Sequence, residues 1–217
     1  MQKKLFNISL TVAILLAIAG GLTFYNGTQA SAKSVSSQND LKLTNSKSLA
    51  ASEKLTIIDE YQSQYFTIVK RNNLFWDTSD FDAIKKDKEE LDKLFKKVEK
   101  RITNKCYLKK YNEIEKRYSK CEDTTTPGII EFESKNYEEI DTLLNEVYSK
   151  VKTKLSPEDF KKLAESETKW LKEVENYDTR YNEFLNITGA GTIRAIIYYE
   201  YQINMRNFRT LLLMLYL

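Results

Sequence analysis

Acid–base chemistry near neutral pH would have to rest on carboxylates, lysines or tyrosines, because the 217-residue chain contains no histidine. That absence excludes a Ser-His-Asp or Cys-His arrangement and any His-containing zinc site. Acid pairs exist at Glu165/Glu167 and Glu173/Glu175. They fall on charged helical faces with no sign of a cleft, which is how a solvated helix surface ordinarily reads. The expectation is a binding protein rather than an enzyme, with no cofactor and no metal site. The two cysteines, Cys106 and Cys121, are an even count that suits a disulfide in an oxidising compartment. On one continuous helix their separation would span about 22 Å, whereas a disulfide needs Cα atoms about 5–6 Å apart. A bridge therefore requires the chain to fold back between them, and two free thiols are the equally open alternative.

Composition points to one kind of scaffold for these side chains. Six glycines and two prolines are too few for the many turns of a β-sandwich or barrel. A hydrophobic content of 41% supports a modest core, and 30% charged residues of nearly balanced sign suit solvated helix faces. The expected fold is all-α: an antiparallel helical bundle, in one body or two helical subdomains, after an N-terminal signal peptide. Lys3 and Lys4 precede an uncharged apolar run from Leu5 to Phe24, and Ala30-Ser31-Ala32 follows with small residues. That order describes a secretory signal over residues 1–32, cleaved after Ala32. The run is also nearly long enough to span a bilayer, so an uncleaved anchor is the rival reading. Either one puts the remainder outside the cytoplasmic membrane, secreted or held at the envelope. Without residues 1–32 the chain has 32 basic and 31 acidic side chains, and nothing in that balance suggests nucleic acid.

Residues 33–48 are rich in Ser, Asn and Lys and read as a flexible tether. Leu55, Ile58, Tyr61, Tyr65, Ile68 and Val69 then recur at helical steps, which predicts a helix from Leu49 to Lys70. Ser79 or Asp80 caps the next helix, whose stripe runs through Phe81, Ile84, Leu91, Leu94, Phe95, Val98 and Ile102. The stripe continues as Tyr107, Tyr111, Ile114, Tyr118 and Cys121, so residues 49–122 are expected to be coiled-coil-like. From Lys93 to Lys120 there are eleven basic and three acidic side chains. That is either a solvated face or a surface for anionic wall polymer or a membrane. Asp123-Thr124-Thr125-Thr126-Pro127-Gly128 is the clearest break and the best domain boundary. Helical spacing resumes through Ile140, Leu144, Val147 and Val151. Ser156-Pro157-Glu158-Asp159 then opens a further helix with an N-cap, a first-turn proline and acids at the positive end. Asn186 to Thr192 forms a loop, and the last helix starts near Ile193.

The order of residues over 129–217 resembles one known family. Asp141, Leu144, Asn145 and Tyr148 are followed by Leu155-Ser156-Pro157, by Leu163, Ser166, Glu167 and Trp170, by Gly189-Ala190-Gly191, and by Arg209-Thr210. This is similar to the LprI lysozyme-inhibitor family, whose domains are small, exported and helical, with an "LNxxY" helix, an "L…W" helix, a Gly-rich loop and a closing "RT" helix. The resemblance implies an LprI-like helical domain and a lysozyme or other muramidase as partner. Members of that family usually carry cysteines where this chain has Phe132, Tyr177-Asp178 and Tyr201, so aromatic packing is expected in place of disulfide staples.

Trp170, Tyr148 and Leu144 lie on apolar stripes and read as core. Asp141, Asn145 and Arg209 complete the family motif and are expected to be structural, with Asn145 bonding a loop backbone. The candidate contact surface is Asn186, Thr188, Gly189, Ala190, Gly191 and Thr192. A small-residue loop between long helices can enter a cleft, and its plainer reading is a connection that needs a positive φ. Residues 128–217 hold twelve basic and fifteen acidic side chains, which permits attraction to a basic enzyme. The competing expectation is a structural or adhesive envelope module that binds wall polymers or another envelope protein.

Overall fold

The computed structural model describes residues 51–71, 81–188, 191 and 193–217. The expected signal peptide over 1–32, the tether over 33–48 and the caps Ser79 and Asp80 lie outside the described residues. Six helices and no strand occur among the described residues: α1 (Ala51–Arg71), α2 (Phe81–Glu99), α3 (Lys105–Arg117), α4 (Thr126–Lys152), α5 (Pro157–Thr188) and α6 (Ile193–Met214). The all-α antiparallel bundle expected from composition and spacing is the fold observed.

Local chemistry sets the helix starts. Asn104 caps α3, its side chain accepting from the backbone N–H groups of Cys106 (3.1 Å) and Tyr107 (3.2 Å). This cap breaks the stripe that the sequence runs unbroken from Phe81 to Cys121. After α2 the chain turns through residues 100–104, with Ile102 plugged into the core. Thr125 caps α4 by accepting from Gly128 N–H (3.2 Å), and Asp123 in turn accepts from the Thr125 N–H and hydroxyl (both 2.7 Å). A Cβ at Gly128 would overlap the Asp123 carboxylate, which would have to swing aside and loosen its bonds to Thr125. Ser156 caps α5 and exchanges hydrogen bonds with Asp159, at 3.1 Å from its N–H and 2.8 Å to its carboxylate.

Side-chain contacts give the helix directions. Arg71 meets Asp87 while Tyr61 meets Lys97, so α1 and α2 run antiparallel. Lys110–Glu146 and Arg117–Glu139 do the same for α3 and α4, and Arg209–Glu167 with Tyr201–Asp178 for α5 and α6. The bundle has two ends. The connection end carries the last turn of α5, Gly191 and the start of α6, and the tail end carries Leu217 and the start of α1.

α6 is the central helix. From Tyr201 to Met214 every residue except Arg206 is buried, the pattern of a helix surrounded on all sides. Tyr65 of α1 stacks on Phe208 of α6 at 4.7 Å, and Phe95 of α2 reaches Phe208 at 4.9 Å. One hydrophobic cluster accordingly joins α1–α3 to α4–α6, spanning both sides of the Asp123–Gly128 break. Among the described residues no helix is long and apolar enough to cross a membrane.

Candidate functional site

The connection between α5 and α6 is held by aromatic side chains below it. Buried Tyr181 on α5 donates its hydroxyl proton to the Arg194 carbonyl in the first turn of α6. Tyr201 lies against Tyr177 (5.2 Å), Tyr181 (5.3 Å) and Tyr198 (5.4 Å). Its hydroxyl donates to Asp178, which also accepts from Gln202 Nε2 at 2.7 Å. Tyr177 and Tyr201, at positions where the resembled family carries cysteines, therefore join α5 to α6 by ring contact. Phe132 packs elsewhere, edge-on to Tyr118 at 5.1 Å.

Of the candidate contact residues, Asn186 is exposed on the last turns of α5, and Thr188 is the final residue of that helix. Gly191 is exposed with φ 58°, the left-handed region that glycine enters at no cost. Gly189, Ala190 and Thr192 lie outside the described residues. Beside the connection, Tyr198 is 37% exposed, one of two large hydrophobic side chains so placed among the described residues. Next to it, a groove of about 610 Å³ is lined by Thr126, Pro127, Ile130, Glu131, Ser134 and Tyr199, among others. The same end exposes both signs of charge, Glu131, Glu138 and Glu183 beside Lys85, Lys86, Lys120, Lys135 and Arg194, with Glu131 paired to Lys135 at 2.6 Å.

Beneath that end three helices bring buried charge together. Burial pushes Glu133 of α4 up to about 7, against a hydrogen bond from Asn136 that lowers it. Glu200 of α6 is also raised to about 7, by burial first, with Glu133 adding to the rise and Lys88 of α2 opposing it. Burial lowers Lys88.

The motif residues occupy the interior instead. Trp170 is 3% exposed and Arg209 is fully buried. The Arg209 guanidinium donates to Glu167 through Nε (3.0 Å) and Nη2 (2.8 Å), to Ser166 through Nη2 (3.3 Å) and to Gln62 through Nη1 (3.1 Å). The Ser166 hydroxyl donates a hydrogen bond to Asp59 at 2.6 Å, and Trp170 presents its ring to the guanidinium at 5.9 Å. Leu144 is buried, and half-buried Tyr148 packs against Phe160 at 6.0 Å. Asp141 accepts from Arg206 Nε at 2.7 Å. Asn145 was expected to reach a loop backbone. It donates instead to the Asp141 carbonyl (2.9 Å) and carboxylate (3.0 Å) one turn back, because it sits mid-helix and no loop lies within its reach.

Sequence reasoning missed Asp59, Gln62, Asp178, Gln202 and Arg206, which complete these networks from other turns and helices. The acid pairs do not act together: Glu167 serves Arg209, Glu173 pairs with Lys70, and Glu165 and Glu175 are exposed. Cys106 is an exposed free thiol at the start of α3. Cys121, past its far end, is a free half-buried thiol whose Sγ donates to the Asp123 carbonyl at 3.4 Å. Straight α3 holds the two apart, so the fold-back a bridge requires does not occur. Among the described residues no three acidic or thiol side chains gather to hold a metal ion.

Residues 118–213 match the family described as Lysozyme inhibitor LprI. The match covers less than half of the chain and takes in α4, α5, their connection to α6, and nearly all of α6. No curated protein and no solved structure matches the chain.

Proposed function

We propose that this protein is an exported inhibitor of a lysozyme-type muramidase, and that it meets the enzyme with its connection end. The match over residues 118–213 to a family of lysozyme inhibitors carries this reading. Inhibition asks no chemistry of the protein, only a rigid surface that fills a groove. Asn186, Thr188, Gly189, Ala190, Gly191 and Thr192 form the tip in this reading, and Tyr198 is an exposed aromatic anchor beside it. Glu138 and Glu183 are exposed carboxylates at this end that can meet a basic enzyme. Asp141, Leu144, Asn145, Tyr148, Trp170 and Arg209 serve as the frame that holds the tip.

Export rests on residues 1–32, and the mature chain is expected to begin near Lys33. N-terminal sequencing of the exported protein tests that; an intact Met1 would mean an anchor.

The functional test is lysis of wall fragments by lysozymes of several classes, with purified mature chain added at two salt concentrations. Inhibition is expected, weaker at the higher salt, and lost in a Gly189→Trp/Gly191→Trp variant that keeps its helix content. Absence of inhibition of every class at micromolar protein overturns the proposal.

A further inference from the structure

The tail end is strongly basic, and its cations exceed what local structure uses. Residues 96–105 hold five basic side chains and one acidic, and residues 150–154 hold three basic and none acidic. Lys54 of α1 joins them. Lys105 donates to the Ile102 carbonyl at 3.1 Å and Lys154 to the Leu217 carbonyl at 3.4 Å, but among the described residues none of Lys54, Lys100, Arg101, Lys105, Lys152 and Lys154 pairs with an acidic side chain. Two of the carboxylates nearby are engaged elsewhere, Glu146 by Lys110 at 2.6 Å and Glu158 by Lys162 at 2.9 Å.

Helix-end stabilisation explains only part of this charge. Lys96 and Lys97 of α2 and Lys150 and Lys152 of α4 lie in last turns, where the macrodipole favours cations. Lys105 is the first residue of α3, whose first turn has no acid, and Lys54 lies near the start of α1. At those positive ends a cation is unfavourable. Lys54 also has its pKa lowered, by burial and then by Lys154.

The cations are also seated. Lys97 and Arg101 lie over the Tyr61 ring at 5.4 and 5.5 Å, Lys54 over Tyr216 at 5.9 Å and Lys152 over Phe160 at 5.1 Å. Tyr61 and Tyr216 are buried parts of the core, so these stems rest on a fixed floor. The two large exposed hydrophobic side chains among the described residues, Leu171 and Tyr198, are away from this end. A surface without apolar wedges suits a hydrated chain better than a bilayer.

We propose that the tail end binds a linear polyanion with repeating phosphate or carboxylate groups. This surface lies opposite the end assigned to the muramidase, so its test stands apart from that reading.

The experiment is fluorescence anisotropy of labelled inorganic polyphosphate and labelled polygalacturonate titrated with the mature chain. Vesicles of phosphatidylcholine and phosphatidylglycerol form a separate arm. Binding of at least one polymer is expected, weakening more than about tenfold between roughly 50 and 300 mM salt as screening shortens. A Lys54→Glu/Arg101→Glu/Lys154→Glu variant should lose at least about tenfold in affinity. A Lys85→Glu/Lys86→Glu/Lys120→Glu variant carries the same charge change near the other end and should stay within about threefold. If the glutamates disturb folding, the Lys54→Gln/Arg101→Gln/Lys154→Gln variant should still show the loss. Three outcomes overturn the proposal: no polymer binding at low salt, equal weakening in both glutamate variants, or binding to vesicles alone.

Discussion

Replacing Arg209 with methionine tests the interior network most directly. The side chain is fully buried, and three of its nitrogens are spent on Glu167, Ser166 and Gln62. Methionine fills similar space but leaves the Glu167 carboxylate without its cation. Removing one partner of a buried pair costs about 3–5 kcal/mol. The Glu167 side chain keeps 18% of its exposure, so water recovers part of that, and the expected cost is near the lower figure. Glu167→Met should cost at least as much, because the stranded guanidinium has 0% exposure and no route to water. At about 2–4 °C per kcal/mol for a chain of this size, either variant should melt roughly 6–20 °C lower. Arg209→Met/Glu167→Met removes both charges and should recover most of the loss, to within about 2 kcal/mol of the wild type. Urea unfolding followed by circular dichroism gives all four free energies by linear extrapolation. An Arg209→Met variant within about 1 kcal/mol of the wild type refutes the reasoning, and so does a double variant whose cost is the sum of the singles.

Protonation offers a second handle. Glu133 and Glu200 titrate near 7 in the folded protein, above the ordinary glutamate value of about 4.3, so the folded state holds these protons more tightly. Stability from this source is full below about pH 4.3 and falls as pH rises toward about 7. Melting should therefore occur at a higher temperature at pH 5.5 than at pH 8, and E133Q/E200Q should flatten that difference; a wild-type Tm that climbs with pH contradicts it. Tyr201→Phe removes one of the two donors to Asp178 and should cost about 1–2 kcal/mol, read by the same urea titration. An unchanged midpoint would mean that the hydroxyl is dispensable. Both thiols should titrate with Ellman's reagent without denaturant, exposed Cys106 quickly and half-buried Cys121 slowly, since burial also raises the Cys121 pKa. A native protein with no titratable thiol would mean a bridge that the helix between them forbids.

The apolar stripes made most of this architecture readable. Spacing alone places Tyr65, Phe95 and Trp170 in the core, because a helix buries whatever recurs every three or four residues. The break at 100–104 was harder to see, because the apolar residues on either side of it keep helical spacing. What interrupts the helix is the Asn104 side chain competing for backbone N–H groups, a local hydrogen bond that hydrophobic periodicity does not register. The Arg209 network was half legible. Glu167 lies at helical spacing between Leu163 and Trp170, but its acidic neighbour Glu165 makes the face read as solvated, and only the docked Arg209 shows it to be largely buried. Asp59 and Gln62 gave no such signal, since polar residues on α1 look alike until the helices dock. At the connection end the glycine pattern marked the turn, but Asp178, Gln202 and Arg206 belong to contacts across helices that no short spacing encodes.

The six described helices alternate in direction, so the last of them ends on the side where the first begins. α1 begins and α6 finishes at the same end, and these two helices lie side by side through Lys54–Tyr216, Gln62–Arg209 and Tyr65–Phe208. Tension applied between the start of α1 and the end of α6 therefore loads those contacts one after another, like a zipper, and not all at once in shear. Peeling needs little force, so α1 should come away first under load, and the helices matched to the inhibitor family would be the last to feel it.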